Sequence, residues 1–260
     1  MLVSRISNPL WQVSVQVGIA IVFTLLVVWL ARRQRVHLEK ETVIALARGL
    51  IQVVLVGAVL VLLFKGPLWI GVPTLLAMMG VAGWTAAQRV RQIPGALSVA
   101  VSGITIGAGS VILLMTLLGA IEPRLEVLIP IGSMLIASAM NSCAQALERL
   151  GAEIEAHRGQ VEAALALGAG AKETVEPYVQ AAVHASMIPR IDSLRSLGIV
   201  WIPGLMAGMI VAGSDPVYAS LNQFVVIALL YAASVLTAMV SVLFIRSHLF
   251  TQAEQLALPV

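Results

Sequence analysis

Hydrophobic residues in this chain do not alternate with polar ones; they gather in unbroken runs. Seven runs have the length of a membrane span: about Trp11–Leu30, Val43–Phe64, Leu68–Ala86, Ala96–Leu118, Val127–Ala146, Ser196–Ala212 and Val217–Phe244. A hydrocarbon core about 30 Å thick takes about 20 residues of helix at 1.5 Å each, so each run predicts one transmembrane helix. Lys65-Gly66-Pro67 separates the second run from the third, and Gly213-Ser214-Asp215-Pro216 the sixth from the seventh. Gly reaches positive φ and Pro cannot continue a helix, so both breaks predict tight turns.

One long interval is polar. Between Glu148 and Glu176 it carries Glu153, Glu155, Glu162 and Glu173 with Arg149, Arg158 and Lys172, interleaved with Leu150, Ile154, Val161, Leu165, Leu167 and Val175. The pattern predicts a helix over Leu147–His157 that prolongs the fifth span. A short helix over Val161–Leu167 follows, ended by Gly168 and Gly170. A returning helix over Ala171–Met187 bends near Pro177. A short helix between two longer ones suits docking into a groove on a soluble partner. A merely solvated loop fits the same residues.

Composition turns these runs into a class. The chain of 260 residues is 59% hydrophobic and 11% charged, with a mean hydropathy of +0.97. A soluble domain carries about 25% charged residues. Lipid must therefore be most of the solvent. The expected fold is an all-α polytopic membrane protein of about seven spans. It forms a single domain over 1–260, with a loop at about 147–187 on the cytoplasmic side. The first run is too long for a signal peptide and is read as a retained span. With the N-terminus outside, every Lys and Arg except Arg5, Lys65 and Arg124 falls in an inner segment. That bias puts the C-terminus inside. A net charge of +3 does not point to nucleic acid.

Candidate chemistry is sparse. Cys143 is the sole cysteine, which excludes an internal disulfide and a Cys-based metal site. Gly168-Ala169-Gly170-Ala171-Lys172-Glu173-Thr174 lacks phosphate-loop spacing and a preceding strand, so ATP is not expected to bind this chain. His37, His157, His184 and His248 are scattered. The methionines, Met134 and Met206 among them, offer soft sulfur or simple filling of apolar gaps. Glu122 and Glu126 are expected on one helical face at an outer mouth, where they attract a cation or are solvated at the interface. No catalytic constellation and no cofactor are expected. No span carries a charge near its centre, which argues against an ion-coupled secondary transporter. Asn141, Asn222 and Gln223 lie inside spans, as interhelical hydrogen bonds or as substrate contacts. Gly103-Ile104-Thr105-Ile106-Gly107 and Gly204-Leu205-Met206-Ala207-Gly208 predict close helix approach, within one bundle or between copies.

Glu162-Ala163-Ala164, three residues, then Gly168 resembles the EAA loop of ABC-transporter permeases. In those proteins this loop forms the coupling helix that seats in a cleft of the ATPase subunit. The segment Ile188-Pro189-Arg190-Ile191-Asp192-Ser193-Leu194-Arg195-Ser196-Leu197-Gly198-Ile199-Val200 is similar to that before the sixth span of the FetB-type permeases. Pro203–Ile210 with Ala212-Gly213, Asp215-Pro216, Ala219 and Gln223 resembles the next block of that family. Ile129–Met134 with Ala139-Met140-Asn141 resembles its fifth-span block. The chain departs at Ala137-Ser138, where the family has Gly-Asn, and at Asn222, where an aromatic precedes the Gln.

This family is associated with iron export in bacteria and with aluminium tolerance in plants. The resemblance implies the permease subunit of an ABC transporter in the bacterial inner membrane, exporting a metal ion such as iron. Two permease chains would join two ATPase chains. Glu162, Ala163, Ala164, Leu165, Gly168 and Ala169 would then couple to the ATPase. Met134, Asn141, Pro203, Met206 and Gln223 would line the pathway. The alternatives are a secondary transporter working without an ATPase, an integral membrane enzyme and a structural membrane subunit.

Overall fold

The computed structural model describes residues 9–35, 37, 39–91, 93–250 and 256. The described residues are almost entirely helical, as expected. The chain divides into two compact units, Met1–Gly66 and Pro67–Val260. Arg5, assigned above to the outer side, lies outside the described residues.

The first unit is a hairpin of α1 (Pro9–Arg33) and α2 (Glu39–Leu63). Arg32 and Glu39 pair across the turn at 3.2 Å. The Arg33 guanidinium lies 4.3 Å from the Trp29 ring centroid, a cation–π contact suited to an interfacial helix end. Val28 is buried, whereas Phe23, Val53 and Leu62 are exposed. Outward apolar side chains are what a lipid solvent demands.

The second unit runs α3 (Gly71–Arg89), α4 (Ala96–Leu117), α5 (Leu125–Ala156), α6 (Arg158–Ala166), α7 (Ala171–Ser196), α8 (Gly204–Val211) and α9 (Pro216–Arg246). Side-chain contacts fix the directions. Ser138 and Ser234 share a 2.8 Å hydrogen bond and Cys143 and Ser241 one of 3.2 Å, so α5 and α9 run parallel. Gly103 faces Ser241 and Gly107 faces Thr237, so α4 is antiparallel to α9. Gly83 meets Val101 and Gly109 meets Met79, making α3 antiparallel to α4; Gly71 and Gly132 meet Leu125 and Leu75, making α3 parallel to α5. The core where these helices meet is lined by small residues, including Ala100, Ala108, Ala139, Ala233 and Ala238. Without a hydrophobic drive between helices in lipid, close packing of small side chains is what holds them together.

Among the described residues six helices have the length and apolarity to cross a membrane: those starting at Trp11, Glu39, Leu68, Ala96, Leu125 and Pro216. The seventh expected span, Ser196–Ala212, needs correction. It is not one helix. α7 stops at Ser196, the chain is irregular over 197–203, and α8 adds eight residues. The cause is local. Gly198 adopts φ +77°, the Ser196 carbonyl accepts the N–H groups of Ile199, Val200 and Trp201, and Pro203 has no N–H to give. The return between α5 and α9 still takes place. Glu176 at the start of α7 pairs with Arg246 at the end of α9, at 2.9 Å. Met206 in α8 meets Gln223 near the start of α9. The path α7–break–α8 therefore runs antiparallel along α9. The stretch expected as one helix is an interrupted return along α9.

The two glycine pairs part company here. Gly103 and Gly107 pack inside the bundle, as the close-approach reading expects. Gly204 and Gly208 have no atom within 4 Å of where a side chain would begin, so that pair is not packed within this chain. Glu122 also lies ahead of α5 rather than on it. It and Glu126 flank Arg124 at 3.9 and 3.8 Å, so the acidic pair is already shared with a cation.

Candidate functional site

Two regions hold the residues singled out in the sequence. The first is the end of the α5–α7 hairpin. α5 has 32 residues, about 48 Å of helix against a core of about 30 Å. It is about 18 Å longer than one crossing needs, and it continues through Leu147–Ala156 as the helix expected there. Leu150 and Ile154 are fully buried on this continuation. The His157 and Tyr178 rings stack at 5.0 Å, joining it to the start of α7. The Glu176–Arg246 pair ties the same part of α7 to α9.

α6 sits at the tip. It spans Arg158–Ala166, starting three residues before the predicted Val161–Leu167 and ending one residue before it. Val161 is its buried anchor, with 1% exposure. Gly168 ends the helix region at φ +86°, a conformation that favours glycine. Gly170 does not end α6; it is extended and forms the N-cap of α7. Glu162, Ala163, Gly168 and Ala169 are exposed, Ala164 and Leu165 half-buried, and Leu167 is 89% exposed. One buried valine thus fixes a short helix whose opposite side presents a leucine, a glutamate and small residues.

The second region surrounds the α7–α8 break. Gln223 is buried, and its Oε1 accepts the Met206 N–H at 3.3 Å. This side chain caps one of the orphan donors at the start of α8 from a neighbouring helix. Ser220 donates to the Met206 sulfur at 3.4 Å, and Pro203 is buried beside them in sequence. Asp215 caps α9 by accepting the N–H groups of Val217 and Tyr218. Met206 and Gln223 are therefore brought together, with Pro203 three residues before Met206 in the chain. Met134 and Asn141 lie elsewhere, two turns apart on α5, exposed and half-buried respectively. Gln223→Leu should lower the stability by about 1–3 kcal/mol, because it leaves a peptide donor bare in an apolar setting. The check is the thermal midpoint in detergent; an unchanged midpoint would show the contact to be idle.

Sequence reasoning noted Ser138 only as a departure from the family pattern and passed over the hydroxyls of Ser234, Thr237 and Ser241; all four are buried in the bundle. Their signal was a four-residue spacing of small residues on α9, which the surrounding apolar run conceals. Among the described residues no group of three or more His, Cys, Asp or Glu is placed to hold a metal ion.

Residues 14–250 match the sequence model of a family described as "Uncharacterised protein family (UPF0014)". The chain belongs to that family. It is 33% identical over 239 residues to the protein ALUMINUM SENSITIVE 3 of Arabidopsis thaliana, covering 91% of this chain and 87% of that one. It is 32% identical over 225 residues to the UPF0014 membrane protein STAR2 of Oryza sativa subsp. japonica, covering 86% and 79%. It is 28% identical over 242 residues to the probable iron export permease protein FetB of Escherichia coli, covering 92% and 93%. No solved structure matches the chain. UPF0014 membership agrees with the resemblance drawn from the segments around Ile129, Ile188 and Pro203, and the family includes proteins named as membrane proteins and as a permease. A multi-pass membrane protein of permease type is the reading that fold and family share.

Proposed function

We propose that this chain is the permease subunit of an ABC transporter, driven by a separate ATPase and carrying a metal ion outward across a bacterial inner membrane. One observation carries the proposal. A nine-residue helix, α6, joins the long helices α5 and α7, and Glu162 and Ala163 on it and Leu167 at its C-cap are exposed. Among the described residues nothing covers those side chains. A soluble partner with a groove does. The interval around α6 holds Arg149, Arg158 and Lys172, which favours the cytoplasmic side, where ATP is found. Two permease chains with two ATPase chains complete the assembly.

The mechanism follows from the connections. ATP-driven closure of the ATPase pair displaces α6. The stacked His157 and Tyr178 and the Glu176–Arg246 pair pass that displacement into α5, α7 and α9 together. The interrupted pass lets α8 respond differently from α7. Metal as the cargo rests on the printed names of the iron and aluminium relatives. The test is direct. Capture of the full chain from its native membrane should bring down a soluble subunit with a phosphate loop. ATP hydrolysis by that subunit should rise several-fold in vesicles containing the chain. Transport at full rate by the chain alone would make it a secondary transporter instead.

A further inference from the structure

Among the described residues three arginines are half-buried: Arg158, Arg190 and Arg246. Arg158 pairs with Glu155 at 3.5 Å and Arg246 with Glu176 at 2.9 Å. Arg190 makes neither an ion pair nor a hydrogen bond among the described residues. Burial pushes its pKa below the ordinary arginine value, yet a guanidinium stays charged and keeps five N–H donors to satisfy. A cation drawn out of water without a counter-charge is unfavourable. The other two half-buried arginines meet that cost with a carboxylate from this chain.

Arg190 stands at the edge of a cleft between α5 and α7. The cleft holds about 370 Å³ and is lined by Gln145, Glu148 and Arg149 of α5 and by Ser186 and Pro189 of α7, among others. Pockets for small molecules run from about 300 to 1,000 Å³. Arg190 follows Pro189 and lies one turn beyond Ser186. Long side chains on a helix lean back over the preceding turn, which carries the guanidinium toward Ser186 and the cleft. The Ser186 hydroxyl already donates to the Val183 carbonyl at 2.8 Å. Gln145 is half-buried and Arg149 exposed, and neither has a hydrogen bond or ion pair among the described residues. The donors left over are one amide and two guanidinium groups. Glu148 is exposed on the wall, and Asp192, a turn past Pro189, pairs with Arg195 at 3.7 Å. Two arginines against one glutamate leave the cleft positive.

We propose that the cleft between α5 and α7 binds a small oxyanion, a phosphate or carboxylate group, held by Arg190, Arg149 and the Gln145 amide. The planar fork of a guanidinium matches two oxygens of such a group. Arg149 belongs to α5 and Arg190 to α7, so a bound oxyanion ties together the two helices that carry α6. The site goes beyond the permease reading and does not rest on it: it asks nothing of an ATPase and names no cargo. A free anion and the headgroup of an anionic lipid share this chemistry, and the test separates them.

The full chain is purified in neutral detergent. Its thermal midpoint is followed against inorganic phosphate and against citrate, with ionic strength fixed by sodium chloride. The midpoint should rise saturably with at least one of them. Arg190→Gln should weaken that response roughly tenfold or more in apparent affinity. Arg89→Gln, at an exposed arginine ending α3, should leave it unchanged. Without oxyanion, Arg190→Gln should match or exceed the parent midpoint, because it removes a half-buried charge that has no partner; an arginine with a purely structural role would lose stability on the same change. In a second arm the chain sits in nanodiscs of phosphatidylcholine with or without phosphatidylglycerol. A rise with phosphatidylglycerol that Arg190→Gln abolishes, and no response to either free anion, assigns the site to a lipid headgroup. If Arg190→Gln fails to fold, Arg149→Gln carries the same comparisons. No rise with phosphate, citrate or phosphatidylglycerol, or a rise that both arginine variants keep in full, overturns the proposal.

Discussion

Gly107→Leu should prevent the bundle from forming. The first side-chain carbon at this position would meet the Thr237 hydroxyl, and also the Thr237 Cα and N at 2.6 Å. The hydroxyl can turn away; the backbone of α9 cannot. Overpacking a tight core typically costs about 1–3 kcal/mol, and backbone-on-backbone contact belongs at the upper end or beyond. Against a total stability of about 5–15 kcal/mol, a loss of that size depletes the folded form. Gly109→Ala, one half-turn away, is the control. Its new carbon meets only the flexible end of Met79, the methyl at 3.5 Å and the sulfur at 3.8 Å, so the thermal midpoint should hold. Gly107→Ala should fall between the two. The measurement is the midpoint of helix loss in detergent together with the yield of monodisperse protein. Equal midpoints for Gly107→Ala and Gly109→Ala would mean that α4 and α9 are not in the contact described.

The second large effect is on function with folding untouched. Leu167→Asp changes a side chain that is 89% exposed, and Glu162→Lys reverses an exposed charge on the same small helix. Neither removes a contact within the chain, so insertion and thermal midpoint should match the parent. Stimulation of the partner ATPase should drop at least tenfold in each, equivalent to about 1.4 kcal/mol or more of lost docking. A charge placed where an apolar knob enters a groove loses the burial and adds a desolvation cost. Full stimulation with both variants would disprove docking at α6. Loss of stimulation with a lowered midpoint would instead point to damage within α5 and α7, and Val161, the buried anchor, would be the place to look.

Much of this was legible in advance. The long apolar runs named the helices of α1 to α5 and α9 within a few residues, because a bilayer demands both length and apolarity from each pass. The short helix at Glu162 and the glycine that closes it could be read because punctuation is a local matter. The run Ser196–Ala212 misled for the same reason. Hydropathy measures what a segment tolerates as surroundings, and it does not report whether the backbone keeps its hydrogen-bond ladder. Gly198 and Pro203 were the available signal. Each is common inside membrane helices, so neither alone predicts a break.

The sequence by itself therefore determined the class of protein, the positions of six long apolar helices and the short polar helix between α5 and α7. These follow from how many apolar residues lie in line, which is a one-dimensional property. Only the tertiary structure decided that Gly103 and Gly107 serve the bundle while Gly204 and Gly208 are left unpacked. It also joined Met206 to Gln223, and it broke the helix over 197–203. Those outcomes depend on which helix faces which. Helices with nearly the same outward chemistry on every side carry little record of that choice in their pattern; it is made by the fit of small residues on α4, α5 and α9.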